Sequence, residues 1–310
     1  MKLYSRASAN SVIKAVMNKA NGIGTSKIQT KQNSSIYGQN GHKVSSKYHS
    51  VKAAENMRTV STQFINYLKE NHGSKVVSNM NRETVKEFIS VKSLEIKASS
   101  LNTYISTMAK VVDNLNELGV KTISREDIHN LRKELKNEGI NLSNERINRA
   151  TKNPEAIVRS MEKNTGYGLS ARLQYEAGLR ISDSTNSSKW KVNEDTKTLT
   201  ISGSKDGITS QTTEISEQLM QRVQEAISNN YRVNNEEYGR VLKEAVIGEN
   251  EKWRGSHSLR YNHAQELYNK LHEQNKDYGL NRSEQAILSE ISRSLGHSRI
   301  EITHHYLHIN

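Results

Sequence analysis

Between residues 53 and 139 the apolar side chains return every three or four positions in four successive blocks. Met57, Val60, Phe64 and Leu68 make the first stripe, and Val85, Phe88 and Ile89 the second. Leu101, Tyr104, Ile105, Met108, Val111, Val112 and Leu115 make the third and strongest, and Ile128, Leu131 and Leu135 the fourth. This spacing places each set on one helical face, so four short amphipathic helices packed as a bundle are expected. Asn81 stands before the second block as an N-cap. Ser124, with Asp127 three residues on, reads as a capping box that uses Asp in place of Glu.

Residues 140–150 are polar and read as a connection. Asn153 followed by Pro154, the single proline, marks a helix start, because proline suits the first helical position. Helical spacing then runs from about Glu155 to Glu176 before the period changes. Lys197 to Ser202 alternates polar with apolar, Ser204-Lys-Asp-Gly207 is turn-forming, and Thr212 to Ile215 reads as a return strand. Helical patterns resume after Ser216, through Tyr238 to Val246, Leu259 to Leu271 and Ser283 to Leu295. The pattern predicts a mainly α chain with one small antiparallel β-hairpin in its second half.

Composition adds a partner class. Of 310 residues 34% are hydrophobic, enough for two domains with small, separately packed cores. A net charge of +12 favours polyanions, nucleic acid first among them. No apolar run approaches the roughly 18 residues that span a bilayer, and no leader with a cleavage site is seen, so a cytoplasmic, nucleoid-associated protein without membrane contact is expected. Residues 1–50 carry Lys2, Arg6, Lys14, Lys19, Lys27, Lys31, Lys43 and Lys47, with no acidic residue before Glu55. They read as a flexible basic arm, either a solvated tail or a DNA-tracking segment, in which residues 11–20 can form a short helix. The absence of cysteine removes disulfides, thiol nucleophiles and cysteine-ligated zinc. The eleven histidines include no HExxH pair.

Four separated pieces carry candidate chemistry: AGLRISDS with Arg180, SGSKDG with Lys205, HSLRYNHAQELY with His257 and Arg260, and LGHSRIEITHHY with His297 and Tyr306. Taken singly, Arg180 reads as a surface ion pair and Lys205 as a solvated turn lysine. In this order and at these intervals they resemble the catalytic domain of the tyrosine recombinases, the phage-integrase family. The resemblance puts the family's first arginine on Arg180 with Asp183 as its support, its hairpin lysine on Lys205, and its His-x-x-Arg pair on His257 and Arg260. It puts the Leu-Gly-His histidine on His297 and the nucleophile, nine residues later, on Tyr306. Lys189 and Lys197 compete with Lys205. Tyr261, Asn262 and His263 depart from the usual His-Thr-Phe that follows the second arginine. His304, His305 and His308 receive no catalytic role.

What the resemblance implies is a division into the arm at 1–50, a helical, SAM-like core-binding domain at 51–140, a linker at 141–152 and a catalytic domain at 153–310. It implies a site-specific recombinase that cuts and rejoins duplex DNA through a 3′-phosphotyrosyl intermediate, for integration, excision or resolution, with no cofactor and no metal. Two arginine forks suit the non-bridging oxygens of a phosphodiester. A phenol near pKa 10 attacks phosphorus and leaves again more readily than a serine hydroxyl. The implied partners are double-stranded DNA at a specific site, a homotetramer on synapsed DNA and accessory DNA-bending proteins. Only four residues follow Tyr306, where many relatives continue into a further coupling helix, so subunits are expected to couple through other surfaces, or to exchange the tyrosine segment itself, or to assemble more weakly. The alternatives are DNA relaxation of the type IB topoisomerase kind and a non-catalytic DNA-binding relative.

Overall fold

The computed structural model describes residues 7–38, 41–73, 75–120, 123–142, 147–203, 210–297 and 299–308. They divide into two compact units, residues 1–145 and 146–310.

The first unit is helical: α1 (Ala9–Lys19), α2 (Lys27–Gln32), α3 (Val51–His72), α4 (Arg82–Glu95), α5 (Ala98–Glu117) and α6 (Arg125–Asn137). The four stripes fill its core, where Met57, Phe64, Leu68, Phe88, Ile105, Met108, Val112, Ile128 and Leu131 are buried. α4 starts at a capping box between Asn81 and Thr84, and α6 at one between Ser124 and Asp127.

The described residues of this segment, 7–38 and 41–50, are folded against the unit where a flexible arm was expected. α1 buries Val12, Ala15, Val16 and Met17 in the core shared with α3 and α5. The Tyr48 hydroxyl donates to the Met17 carbonyl at 2.9 Å, and buried Asn114 donates to the Ser46 carbonyl at 3.0 Å. A helix this short is marginal by itself and gains its stability by docking its apolar stripe. The one-sign charge of the segment concealed that stripe.

The second unit contains α7 (Pro154–Asn164), α8 (Gly168–Glu176), α9 (Ile181–Ser184), β1 (Trp190–Asn193), β2 (Thr198–Ile201), β3 (Gln211–Glu214), α10 (Glu217–Ser228), α11 (Asn235–Gly248), α12 (Ser258–Asp277), α13 (Glu284–Ser294) and α14 (Ile300–Leu307). The single helical run expected over 155–176 is broken into α7 and α8. Gly168 opens α8 so close to α7 that a Cβ there would lie 2.5 Å from the Glu162 Cα. The expected hairpin gains a third strand, and the antiparallel sheet runs β1-β2-β3, with Trp190 opposite Ile201 and Ile201 opposite Gln211. Four residues with two polar positions hid β1, whose Trp190 is buried and donates its indole N–H to the Asp183 carbonyl at 2.6 Å.

Three apolar clusters hold this unit. Leu173, Leu199, Ile201 and Val223 join α8, the sheet and α10. Ile157, Tyr238, Leu242 and Leu259 join α7, α11 and α12. Ala264, Leu271, Ile287, Leu295 and Leu307 join α12, α13 and α14. The end of the expected linker belongs here too: Thr151 donates through its amide and hydroxyl to Asn262 Oδ1, at 3.0 and 2.9 Å. No helix among the described residues is long and apolar enough to cross a membrane.

Candidate active site

Arg260 lies in the first turn of α12 and is fully buried. Its fork reaches three separate segments. Nη1 donates to the Gly178 carbonyl, and Nη2 donates to the Leu295 carbonyl at 2.5 Å and to His297 Nε2 at 3.1 Å. Nε donates to the Tyr306 hydroxyl at 3.3 Å, and the guanidinium carbon stands 5.4 Å from the centre of the Tyr306 ring. Burial pushes its pKa down to about 10, with the Tyr306 oxygen opposing the shift, so the charge persists at neutral pH. No carboxylate hydrogen-bonds to it among the described residues. A buried cation held only by carbonyl, hydroxyl and imidazole acceptors is costly unless an anion completes it.

Gly178 makes the approach of this fork feasible. Its φ is +61°, and a Cβ there would lie 2.4 Å from His263 Cδ2, so both its conformation and its surroundings require glycine. The same turn delivers Arg180, which caps α9 and donates from Nη2 to the Gly296 carbonyl at 3.1 Å. Asp183, fully buried, sits 3.9 Å from Arg180 Nη1 and 3.4 Å from Lys189 Nζ. Of the competing lysines, Lys189 therefore lies beside the arginine support, whereas Lys197 pairs at the surface with Glu217 at 3.3 Å. Lys205 lies outside the described residues.

Tyr306 projects from α14, whose Thr303 and Leu307 are buried. Its ring packs 4.4 Å from that of Tyr261 and 5.0 Å from that of His297, centre to centre. Its backbone carbonyl accepts from Gln265 Nε2 at 2.9 Å. Because an arginine N–H only donates, the phenol oxygen accepts from Arg260, and its own proton is directed at His257 Nδ1, 3.4 Å away. Burial, then Arg260, Arg180 and Arg149, push His257 down to about 4, so the ring is neutral at pH 7 and able to accept that proton. His257 precedes the first residue of α12.

His297 Nε2 accepts from Arg260, so its Nδ1 carries the proton and donates to Thr303 Oγ1 at 3.1 Å. In this tautomer the His297 nitrogen that faces Arg260 is an acceptor. Four of the expected side chains thus meet directly, Arg260 reaching Tyr306 and His297 and Tyr306 reaching His257, while Arg180 joins them through the Gly296 carbonyl beside His297.

Two participants were not read from the sequence as part of the site. Gln211, on β3 and fully buried, donates to the Ala177 carbonyl at 3.0 Å while its Oε1 lies 3.5 Å from Arg260 Nη1. His263 Nδ1 donates to the Tyr175 carbonyl at 3.1 Å, its Nε2 accepts from Ser294 Oγ at 3.1 Å, and that oxygen accepts from Thr213 at 3.2 Å. Together they tie β3 and α13 to the turn that carries Arg180. A glutamine and a threonine on a strand give no periodic signal beyond facing inward together. Among the described residues, no group of three or more His, Asp or Glu side chains is placed to hold a metal ion.

A helical unit followed by a mainly helical unit with a three-stranded antiparallel sheet, in this order, is the tyrosine recombinase fold. The chain is similar over 100% of its length, and 96% of the other, to XerH site-specific recombinase bound to difH substrate in a pre-cleavage complex, with a TM-score of 0.65 and 13% identity. For the XerH post-cleavage complex on palindromic difH the TM-score is 0.64 at 12% identity, covering 98% and 94%. For a lambda integrase dimer bound to a COC' core site it is 0.58 at 16% identity, covering 84% and 72%. No protein-family model and no curated protein sequence matches.

Proposed function

We propose that this protein is a site-specific recombinase that cuts and rejoins duplex DNA through a covalent 3′-phosphotyrosyl link to Tyr306. One observation carries the reading: a buried arginine, hydrogen-bonded to no carboxylate among the described residues, contacts the hydroxyl of a tyrosine whose proton faces a neutral histidine. The similar structures of XerH and lambda integrase are DNA complexes, which supports double-stranded DNA as the partner.

In this reading Arg260 and Arg180 take the non-bridging oxygens of the scissile phosphate, where charge builds in the transition state. The Tyr306 oxygen now occupies part of that place, so the phenol moves off Arg260 Nε as phosphate enters. His257 accepts the phenol proton, the oxygen–phosphorus bond forms, and the bond to the 5′-oxygen breaks. Lys205 is the proposed donor of the proton that the 5′-oxygen requires, and His297 contacts the phosphate after a change of tautomer. Religation runs the same steps in reverse. Four copies on two synapsed duplexes, helped by DNA-bending proteins, are the proposed assembly.

The test is capture of a covalent protein–DNA adduct on nicked suicide duplexes. Tyr306→Phe is expected to form none while still binding DNA, and Lys205→Ala to slow adduct formation by about 10²- to 10⁴-fold. An unchanged adduct with Tyr306→Phe removes the assignment. Brisk relaxation of plasmid lacking any special site marks the topoisomerase reading instead.

A further inference from the structure

A cleft of about 400 Å³ opens beside the candidate active site, with Ser210, Ser289, Ser292, Arg293, His297 and Arg299 among its walls. It begins where the arginine constellation ends: it shares His297, and also Gly296, whose carbonyl accepts from Arg180. Ser289, Ser292 and Arg293 stand on one face of α13 by their spacing of three and four. Arg299 stands at the start of α14, which has no side-chain cap and so adds the positive end of a helix dipole.

Three exposed arginines of this unit are matched with carboxylates, Arg159 with Glu155, Arg240 with Glu237 and Glu244, and Arg282 with Glu290. Arg293 and Arg299 are exposed, and neither has an acidic partner among the described residues. No described lining residue is acidic, and none is aromatic apart from His297. Such a lining suits a phosphate and its sugar, and offers no platform for a stacked base.

We infer that this cleft takes a second backbone phosphate of the bound strand, adjacent to the scissile one, through Arg293 and Arg299, with the Ser289 and Ser210 hydroxyls as neutral donors. The inference rests on the proposed DNA-cutting function and names a part of the substrate that Tyr306 does not touch. A contact of this kind is blind to sequence, positions the strand, and contributes to binding every duplex equally.

The experiment is the salt dependence of binding to a short duplex of arbitrary sequence, measured by fluorescence anisotropy between about 50 and 200 mM salt. Each lost phosphate contact lowers the log–log slope by about 0.9, so R293A/R299A is expected to lower it by about 1.8. R293K/R299K is expected to keep the wild-type slope, and R159A/R240A, which removes the same charge from paired sites, to leave it unchanged. A wild-type slope in R293A/R299A overturns the subsite, and so does an equal fall in R159A/R240A. A wild-type protein with no steep slope of its own shows instead that the DNA reading has failed.

Discussion

Two arginines of the second unit are nearly withdrawn from solvent and are treated in opposite ways. Arg172, on α8, is surrounded by carboxylates: Glu155 at 2.8 Å, Glu162 at 2.6 Å and Glu176 at 3.3 Å. Burial alone would lower its pKa, but the hydrogen bonds to Glu162 and Glu155 outweigh this and raise it. Arg260 is buried more completely, has no carboxylate hydrogen-bonded to it among the described residues, and is pushed down. The first arrangement is electrically closed and pins α7 to α8. The second is a cation held ready by neutral acceptors, which is a poor way to stabilise a fold and a good way to receive an anion.

The largest separation of the two is expected in DNA cleavage. R260A should slow covalent adduct formation by about 10²- to 10³-fold, the usual cost of removing one preorganised donor from a transition state. R172A should leave the adduct rate near wild type at temperatures where it is folded, and lose stability on the order of 2–3 kcal/mol, because partly exposed carboxylates are left without their partner. Equal kinetic losses in both variants would erase the distinction.

Acid titration probes the neutral histidines that the buried cation helps to create. His263, buried, is held down to about 4 by burial and then Arg260, against an ordinary 6.5. The unfolded chain therefore binds the proton first as pH falls. This stabilising contribution is complete above pH 6.5 and is lost as pH falls toward 4, by on the order of 3 kcal/mol for His263. His257 titrates in the same direction. Urea denaturation at pH 7 and pH 5 should show the fall, and His263→Asn should reduce it to the part that His257 contributes. A slope undiminished by this replacement would locate the pH dependence elsewhere.

A smaller effect is expected at the link between β3 and the arginine turn. Gln211→Leu removes the donor to the Ala177 carbonyl and should cost about 1–3 kcal/mol in thermal or urea unfolding. No loss would mean that the strand is held by apolar packing alone. Smallest of all is Lys197→Ala, which breaks an exposed pair with Glu217 and should change stability by less than about 1 kcal/mol and leave the adduct yield unchanged. A large loss of cleavage there would return Lys197 to the list of proton donors.

The apolar stripes of α3 to α6 were legible because a helix that buries one face repeats its demand every three or four residues. Polar side chains announced their chemistry only as an ordered set, and β1 was too short to show its alternation. The short helix at 11–20 was legible, but the lysines on its solvent side hid that it docks, although its four buried residues sit at helical spacing.

By itself the sequence determined the order of most elements, the caps of α4 and α6, and which polar groups belong together, since these depend on local spacing and on residue type. Only the tertiary structure decided that Arg260 is buried with no carboxylate hydrogen-bonded to it among the described residues, that His297 faces it with a lone pair, and that Gln211 and His263 brace the turn before Arg180. Those properties arise where segments 30 to 120 residues apart meet in a space that water leaves, and there a charge or a proton answers to its neighbours in three dimensions.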